Sequence, residues 1–360
     1  MTSPRIEIDL DKIHHNVHTL RRQLARCGIS VTGVTKAFLG STEIASTFVR
    51  AGLHSLGDSR IENIMAMRQA GVAASMTLIR APLLSQLRDV VVHADISFNT
   101  EIETIRKLSA LAKALDRTHG IVLMVELGDL REGIMPEHLD AVVRETCRLP
   151  NIVLKGIGTN LACFNGVSPN SGNMAELSAL AYSIEARFGR TIEIVSGGNS
   201  ANLEWAFSGA DTGRITDLRL GESLLLGLET LHRNAIDGLH TDAISIVAEV
   251  IESKLKPTQP WGTIAQTAFG GKPSARVPGN SVQTILAIGN QDTDTLGLTP
   301  PPGMTILGAS GDHLVVDSGS EHMAIGSEVS FQPNYSALIR AMTSPYVSKV
   351  VKTQREPSPA

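Results

Sequence analysis

A lysine closes the apolar run at residues 31–35, in Gly33-Val34-Thr35-Lys36. A buried ammonium must be paired or give up its charge, and a desolvated amine is the nucleophile that Schiff-base chemistry requires. The plainer alternative is an ion pair with Glu126 or Glu222. Ser196-Gly197-Gly198-Asn199-Ser200 follows a second apolar run and opens a helix-like stretch. Glycines there let a phosphate approach backbone N–H groups and a helix N-terminus, unless the segment is only a tight turn capped by Asn199 or Ser200. Arg219 lies in a third run, within reach of Asp217 or Glu126 as an internal partner. Arg131, in Gly128-Asp129-Leu130-Arg131-Glu132-Gly133, reads by itself as a solvated loop charge.

These residues share one property: each stands at the C-terminal end of an apolar run. Eight such runs occur, at residues 31–35, 53–56, 76–79, 95–98, 121–126, 154–158, 192–196 and 218–220. Between them lie stretches with helical spacing, at 41–51, 60–70, 100–115, 136–147 and 173–188, several opening with Ser, Thr, Asn or Pro. Eight βα units predict an α/β fold, a (β/α)8 TIM-type barrel, with an open doubly wound sheet as the alternative. A barrel collects its active site at the C-terminal strand ends. After residue 236 the pattern changes to β-rich runs at 243–251, 281–288, 304–307, 313–316 and 328–331, broken by Pro and Gly. The expected organisation is therefore an N-terminal strand at 1–10 that pairs with the C-terminal domain, a barrel over 11–235, a mostly β domain over 236–351 and a disordered tail over 352–360.

The chain has 360 residues, enough for a barrel with an attachment. Thirty-two Lys and Arg against 36 Asp and Glu leave a net charge of −4, which carries no electrostatic footprint for nucleic acid or an anionic membrane. Small molecules or another protein are the expected partners. The N-terminal MTSPRIEIDLDKIHHNV lacks the layout of a secretory signal. Cys27, Cys147 and Cys163 are three widely spaced cysteines without metal-ligand pairing, as suits a reducing cytoplasm.

Together the strand-end residues resemble the alanine racemase family of fold-type III enzymes dependent on pyridoxal 5′-phosphate, and within it the ornithine racemase branch. The resemblance runs along nearly the whole chain, through VTKAFLG at 34–40, GDSRIEN at 57–63, ELGDLREGI at 126–134, GIGTNLACF at 156–164, SGGNSANL at 196–203, RLGESLLLG at 219–227, LAIGNQDTD at 286–294 and LGASGDHLVVD at 307–317. It implies that Lys36 holds the cofactor as an internal aldimine and serves as the base on one face of the substrate α-carbon. Arg219 would pair with the pyridine nitrogen and Arg131 would lie near the substrate carboxylate. Asn160 stands where the family usually has a histidine stacked on the ring. Ser196, Gly198, Asn199, Ser200, Gly221, Glu222 and Tyr335 would complete the cofactor site. The resemblance also implies a homodimer whose active sites are completed by the second subunit.

In the alanine-specific members a tyrosine follows Ile-Gly and acts as the second base; here Ile288-Gly289 precedes Asn290. The second base is then open among His313, Asp292 and Cys163. The expected activity is racemisation of an amino acid by two-base proton transfer, with ornithine or lysine preferred. Alanine, serine or broad specificity, a decarboxylase, or a D-hydroxyamino-acid aldolase with a metal near His313 and Asp312, are the competing readings, and a non-enzymatic cofactor carrier is a third class. No metal is expected in the racemase. Glu222, Glu62 and Asp129 are the acidic residues that could read a basic substrate side chain.

Overall fold

A computed structural model describes residues 3–267, 269–270 and 277–353. The chain divides into two compact units, one of Lys12–Thr241 and one formed by both chain ends, up to Asp11 and from Asp242 onward.

The second unit begins with β1 (Arg5–Asp9). In the first unit, eight short strands form a closed parallel barrel: β2 (Ser30–Val34), β3 (Ser55–Asp58), β4 (Ser75–Leu78), β5 (Ile96–Asn99), β6 (His119–Met124), β7 (Ile152–Gly158), β8 (Ile194–Ser196) and β9 (Asp217–Leu220), with β9 pairing back onto β2. All eight expected runs are strands, within one or two residues at their ends. Their continuous apolar character has a physical cause, because strands covered by helices outside and by one another inside have no wet face. Helices Thr42–Arg50, Ile61–Gln69, Ile102–Ala114, Pro136–Thr146 and Ser171–Phe188 form between them. The last begins two residues earlier than its spacing suggests. Asn170 caps it, accepting from Gly172 N and Asn173 N, while Asn173 reaches back to Asn170 N. A further helix, Leu87–His93, escapes sequence reading because its seven residues are too few to show a period.

The other unit is a sheet of β10 (Ile244–Pro257), β11 (Asn280–Leu286), β12 (Leu298–Thr299), β13 (Thr305–Ala309), β14 (Leu314–Asp317), β15 (Glu328–Pro333) and β16 (Ser348–Lys352), in the order β12-β15-β10-β11-β14-β13. Strand β1 pairs antiparallel with β10 and parallel with β16. A bulge between Val250 and Glu252 lets β10 change partners, from β1 and β15 along its first half to β11 along its second. The unit also holds a helix, Tyr335–Thr343, capped by Asn334 through Ala337 N. Lys352 belongs to β16 rather than to a disordered tail, and residues 354–360 of that expected tail lie outside the described residues.

One buried histidine in the barrel wall makes the fold acid-sensitive. His119 opens β6 fully buried, with Nε2 2.8 Å from Ser97 Oγ. Burial pushes its pKa from 6.5 down to about 4. Above pH 6.5 neither the folded nor the unfolded chain is protonated there, so nothing is lost. On acidification the unfolded chain takes the proton first, and stability falls between pH 6.5 and 4 at up to about 1.4 kcal/mol per pH unit. Urea unfolding of the wild type and His119→Asn at pH 7.5 and 4.5 is expected to show a smaller acid loss for the variant, by about 2 kcal/mol. Equal losses would remove His119 from the explanation.

Candidate active site

The turn after β2 is anchored from below. Ala37 and Phe38 are buried, with Phe38 edge-on to Phe48 at 5.4 Å, and Thr35 N donates to Gly57 O. Thr35 Oγ1 also donates to Asp58 Oδ2 at 2.6 Å. Lys36, between these fixed points, projects at the mouth of the barrel. Among the described residues it has no ion pair, so neither Glu126 nor Glu222 is its partner. Glu126 instead accepts from Gly128 N and Leu130 N at 2.6 and 3.0 Å, and Glu222 pairs with Arg233. Lys36 itself is exposed at the mouth, and desolvation by the residues crowded around it lowers its pKa; Cys163 opposes this, Arg131 and Arg219 add to it, and Asp58 resists it. The net direction is down, toward a neutral amine.

Strand β9 reads Asp-Leu-Arg-Leu. Its period of two sends Leu218 and Leu220 to the helix side and Asp217 and Arg219 into the barrel. Arg219 is 5% exposed. Its Nη1 donates to Ser196 Oγ at 2.6 Å, and its Nη2 donates to Thr159 O at 2.7 Å and Asn160 Oδ1 at 3.1 Å. Its guanidinium lies 5.2 Å from the centre of the Phe98 ring. Burial pushes its pKa down to about 10, with Asp217 holding it up. Asn160 Oδ1 also accepts from Asn199 Nδ2 at 3.2 Å. Two donors on one oxygen fix the amide orientation, and that leaves Asn160 Nδ2 buried without a partner. An unmade hydrogen bond of this kind costs about 1–3 kcal/mol. It marks a place for an acceptor beside Arg219.

The Gly197-Gly198 turn lies against the same arginine, since Arg219 N donates to Gly198 O and Gly197 N to Asp217 O. Gly198 has φ +147, and a Cβ there would stand 2.1 Å from Asn202 Oδ1, so only glycine fits. Asn199 caps the next turn through Ala201 N, and Ser200 Oγ meets Ser223 Oγ at 3.0 Å. At Gly221 an added Cβ would approach Val34 Cβ to 3.1 Å. The two short turns after β8 and β9 thus sit side by side.

Across the mouth, Asp129 fixes the loop after β7. Its carboxylate accepts from the N–H groups of Cys163, Phe164, Asn165 and Val167 at 2.8–3.2 Å. Burial would raise its pKa, but these four donors outweigh burial and hold it below the usual carboxylate range. That loop carries Cys163 to Arg131, whose Nη1 donates to the sulfur while Glu132 takes the other donors. Among the acidic residues expected to read a substrate, Asp129 is therefore committed to its loop, Glu222 to Arg233 and Glu62 to Gln86.

Ser196, expected to touch the cofactor, has its hydroxyl engaged between Arg219 and Asp217. His313, Asp292 and Tyr335 belong to the other unit. His313 Nδ1 lies 2.7 Å from Asp312 Oδ1. Asp292 Oδ2 accepts from Gly289 N at 2.8 Å and closes a tight turn. Tyr335 opens the helix Tyr335–Thr343. Sequence reading offered Asp217 or Glu126 as a direct internal partner of Arg219; the structure joins Arg219 to Asp217 through the Ser196 hydroxyl instead, a link that the sequence did not signal.

Residues 8–228 match the family model for the alanine racemase N-terminal domain. An ornithine racemase of Acetoanaerobium sticklandii is 37% identical over 350 residues, covering 96% of this chain and 99% of its own. The chain belongs to the alanine racemase family. A lysine racemase of Thermotoga maritima is likewise 37% identical, over 97% of this chain and 99% of its own. Among solved structures, the alanine racemase of Bartonella henselae with covalently bound pyridoxal phosphate superposes with a TM-score of 0.74 at 19% identity, over 98% of this chain and 100% of that one. The barrel mouth fits such a group: a lysine without an ion pair, a buried arginine, the open donor of Asn160 and two adjacent turns, at one of which Gly198 leaves no room for a side chain.

Proposed function

We propose that this chain is a pyridoxal 5′-phosphate-dependent amino-acid racemase that interconverts the L and D forms of ornithine or lysine. The observation that carries the reading is the pairing of an ion-pair-free Lys36 with the buried Arg219 at the mouth of a barrel. The full-length relatives named for ornithine and lysine support the substrate class. When bound, pyridoxal 5′-phosphate withdraws electrons from the substrate and acidifies its Cα–H bond.

Lys36 holds the cofactor and moves a proton at Cα on one face. Arg219 would hold the pyridine nitrogen; a guanidinium keeps its proton, which would limit side reactions that need a fully protonated ring. Asn160 would contact the ring. Gly198, Asn199, Ser200, Gly221, Glu222 and Tyr335 serve the phosphate, and Arg131 the substrate carboxylate. His313, with Asp292 and Cys163 as the alternatives, supplies the second base. The site is a cytoplasmic one in this reading, with all three cysteines unpaired. No helix among the described residues is long and apolar enough to cross a membrane.

The test is the visible spectrum of the purified protein, followed by chiral analysis after incubation with L-ornithine, L-lysine, L-alanine and L-serine. Formation of the D isomer fastest from ornithine or lysine is the expected result. A protein that racemises only alanine or serine would overturn the substrate class, and one that releases CO2 or an aldehyde would overturn the reaction.

The active unit in this reading is a homodimer. The segment joining β10 to β11 supports it, because Trp261 and Val277 are each 83% exposed and Leu255, near the end of β10, is exposed as well. Such apolar surface is seldom left in water, and Trp is prominent among residues that dominate interfaces. Sedimentation of a Trp261→Ser/Val277→Ser variant is expected to show dimer dissociation at concentrations about 10-fold or more above the wild type. Unchanged dissociation would separate this segment from the dimer.

A further inference from the structure

A chain of hydrogen bonds runs from Arg219 into the barrel interior. Arg219 Nη1 donates to Ser196 Oγ at 2.6 Å, Ser196 Oγ donates to Asp217 Oδ2, and Thr32 Oγ1 donates to Asp217 Oδ1 at 2.7 Å. The direction is fixed, since a serine hydroxyl has one proton and the guanidinium accepts nothing. Asp217 and Arg219 are 7% and 5% exposed, and Ser196 is fully buried. A buried guanidinium needs an anion. The other carboxylates near the mouth are engaged elsewhere: Glu126 by Gly128 N and Leu130 N, Asp58 by Thr35, Arg60 N and Asn63, Asp129 by its loop, and Glu132 by Arg131.

We infer that Asp217, acting through the Ser196 hydroxyl, is the counter-charge that fixes Arg219, which makes Asp217 a positioning residue for the cofactor ring. The inference rests on the assignment of Arg219 to that ring. Ser196 then belongs behind the site as the link, not at the ligand. Asp217 borders a cavity of about 150 Å³ lined also by Thr32, Ser55, Thr77 and Phe98, so a longer acid can be accommodated there.

The experiment uses the holoenzyme and compares Asp217→Asn, Asp217→Glu, Ser196→Ala and the Asp217→Asn/Ser196→Ala double variant. The readouts are the visible absorbance maximum of the bound cofactor, kcat/KM and the melting temperature. Asp217→Asn is expected to shift the absorbance maximum and lower kcat/KM on the order of 10-fold or more, because the arginine loses its fixed position. Ser196→Ala should reproduce both effects, the double variant should add little, and Asp217→Glu should recover most of the wild-type behaviour. A wild-type spectrum in Asp217→Asn, whatever its melting temperature, overturns the inference, as do additive effects in the double variant. If Asp217→Asn does not fold, Ser196→Ala decides: a shifted spectrum supports the link and an unshifted one refutes it. Arg219→Lys separates the two possible failures. If it leaves the spectrum unchanged, the cofactor assignment falls and the relay with it; if it shifts the spectrum while Asp217→Asn does not, only the relay falls.

Discussion

Replacing Lys36 by alanine is expected to abolish covalent attachment of pyridoxal 5′-phosphate and to lower racemisation on the order of 10³-fold or more. Two separate roles are lost together. A positioned proton-transfer group contributes about 10²–10⁴-fold, and the covalent anchor that orients the cofactor goes with it. The amine is prepared for both roles by its surroundings. Desolvation by its neighbours draws its pKa down although the residue is exposed, and Arg131 and Arg219 press in the same direction against Cys163 and Asp58, so the neutral form is reached more readily than in a free lysine. The turn that carries Lys36 is fixed independently by Phe38, Phe48 and the Thr35–Asp58 hydrogen bond, and Lys36→Ala should therefore fold normally. Reduction of the wild type with borohydride, then peptide mapping, should place the cofactor on Lys36. Wild-type racemisation by Lys36→Ala, or cofactor trapped on another lysine, would sink the assignment.

Lys36 stands out in the sequence because its environment is local: an ammonium at the end of an apolar strand is anomalous wherever that strand goes. The eight barrel strands were legible for the same reason, each being a short apolar run between breakers. What escaped depends on chain segments far apart in sequence. Ser196 and Asp217 are 21 residues apart and meet only because β8 and β9 are neighbours in the closed barrel, so no spacing rule assigns the serine to Arg219. Asp129 looked like a mouth carboxylate until the loop at Cys163–Val167, over 30 residues later, brought four N–H groups to it. The 14-residue length of β10 was shortened in sequence reading to 243–251, because its second half, Glu252-Ser253-Lys254-Leu255-Lys256, has too few apolar residues to show as a core strand. The helix Tyr335–Thr343 stood in a stretch otherwise read as β.

His313→Ala is expected to lower racemisation in both directions on the order of 10²-fold or more while Lys36 still exchanges the α-proton of one enantiomer with solvent. Racemisation needs a proton carrier on each face of Cα, and Asn290 cannot serve where the alanine-specific enzymes have tyrosine; its Oδ1 accepts from Thr295 Oγ1 at 2.7 Å. Of the three alternatives, Asp292 is committed to structure, since its carboxylate binds Gly289 N while Asp292 N and Thr293 N return to Gly289 O. It is also only 8% exposed. Asp292→Asn should therefore cost stability rather than exchange. Cys163 has its sulfur against the Arg131 guanidinium. His313 has the arrangement that a base requires. Asp312 holds Nδ1 at 2.7 Å, and the hydrogen bond to His313 keeps that carboxylate below its ordinary pKa and so ionised. With one ring nitrogen oriented by an acid, Nε2 is left to take and return a proton. The deciding measurement is deuterium incorporation from D2O into L- and D-ornithine by His313→Ala, Asp292→Asn and Cys163→Ser. If His313→Ala exchanges both enantiomers at the wild-type rate and Cys163→Ser exchanges only one, the second base is the thiol that Arg131 holds.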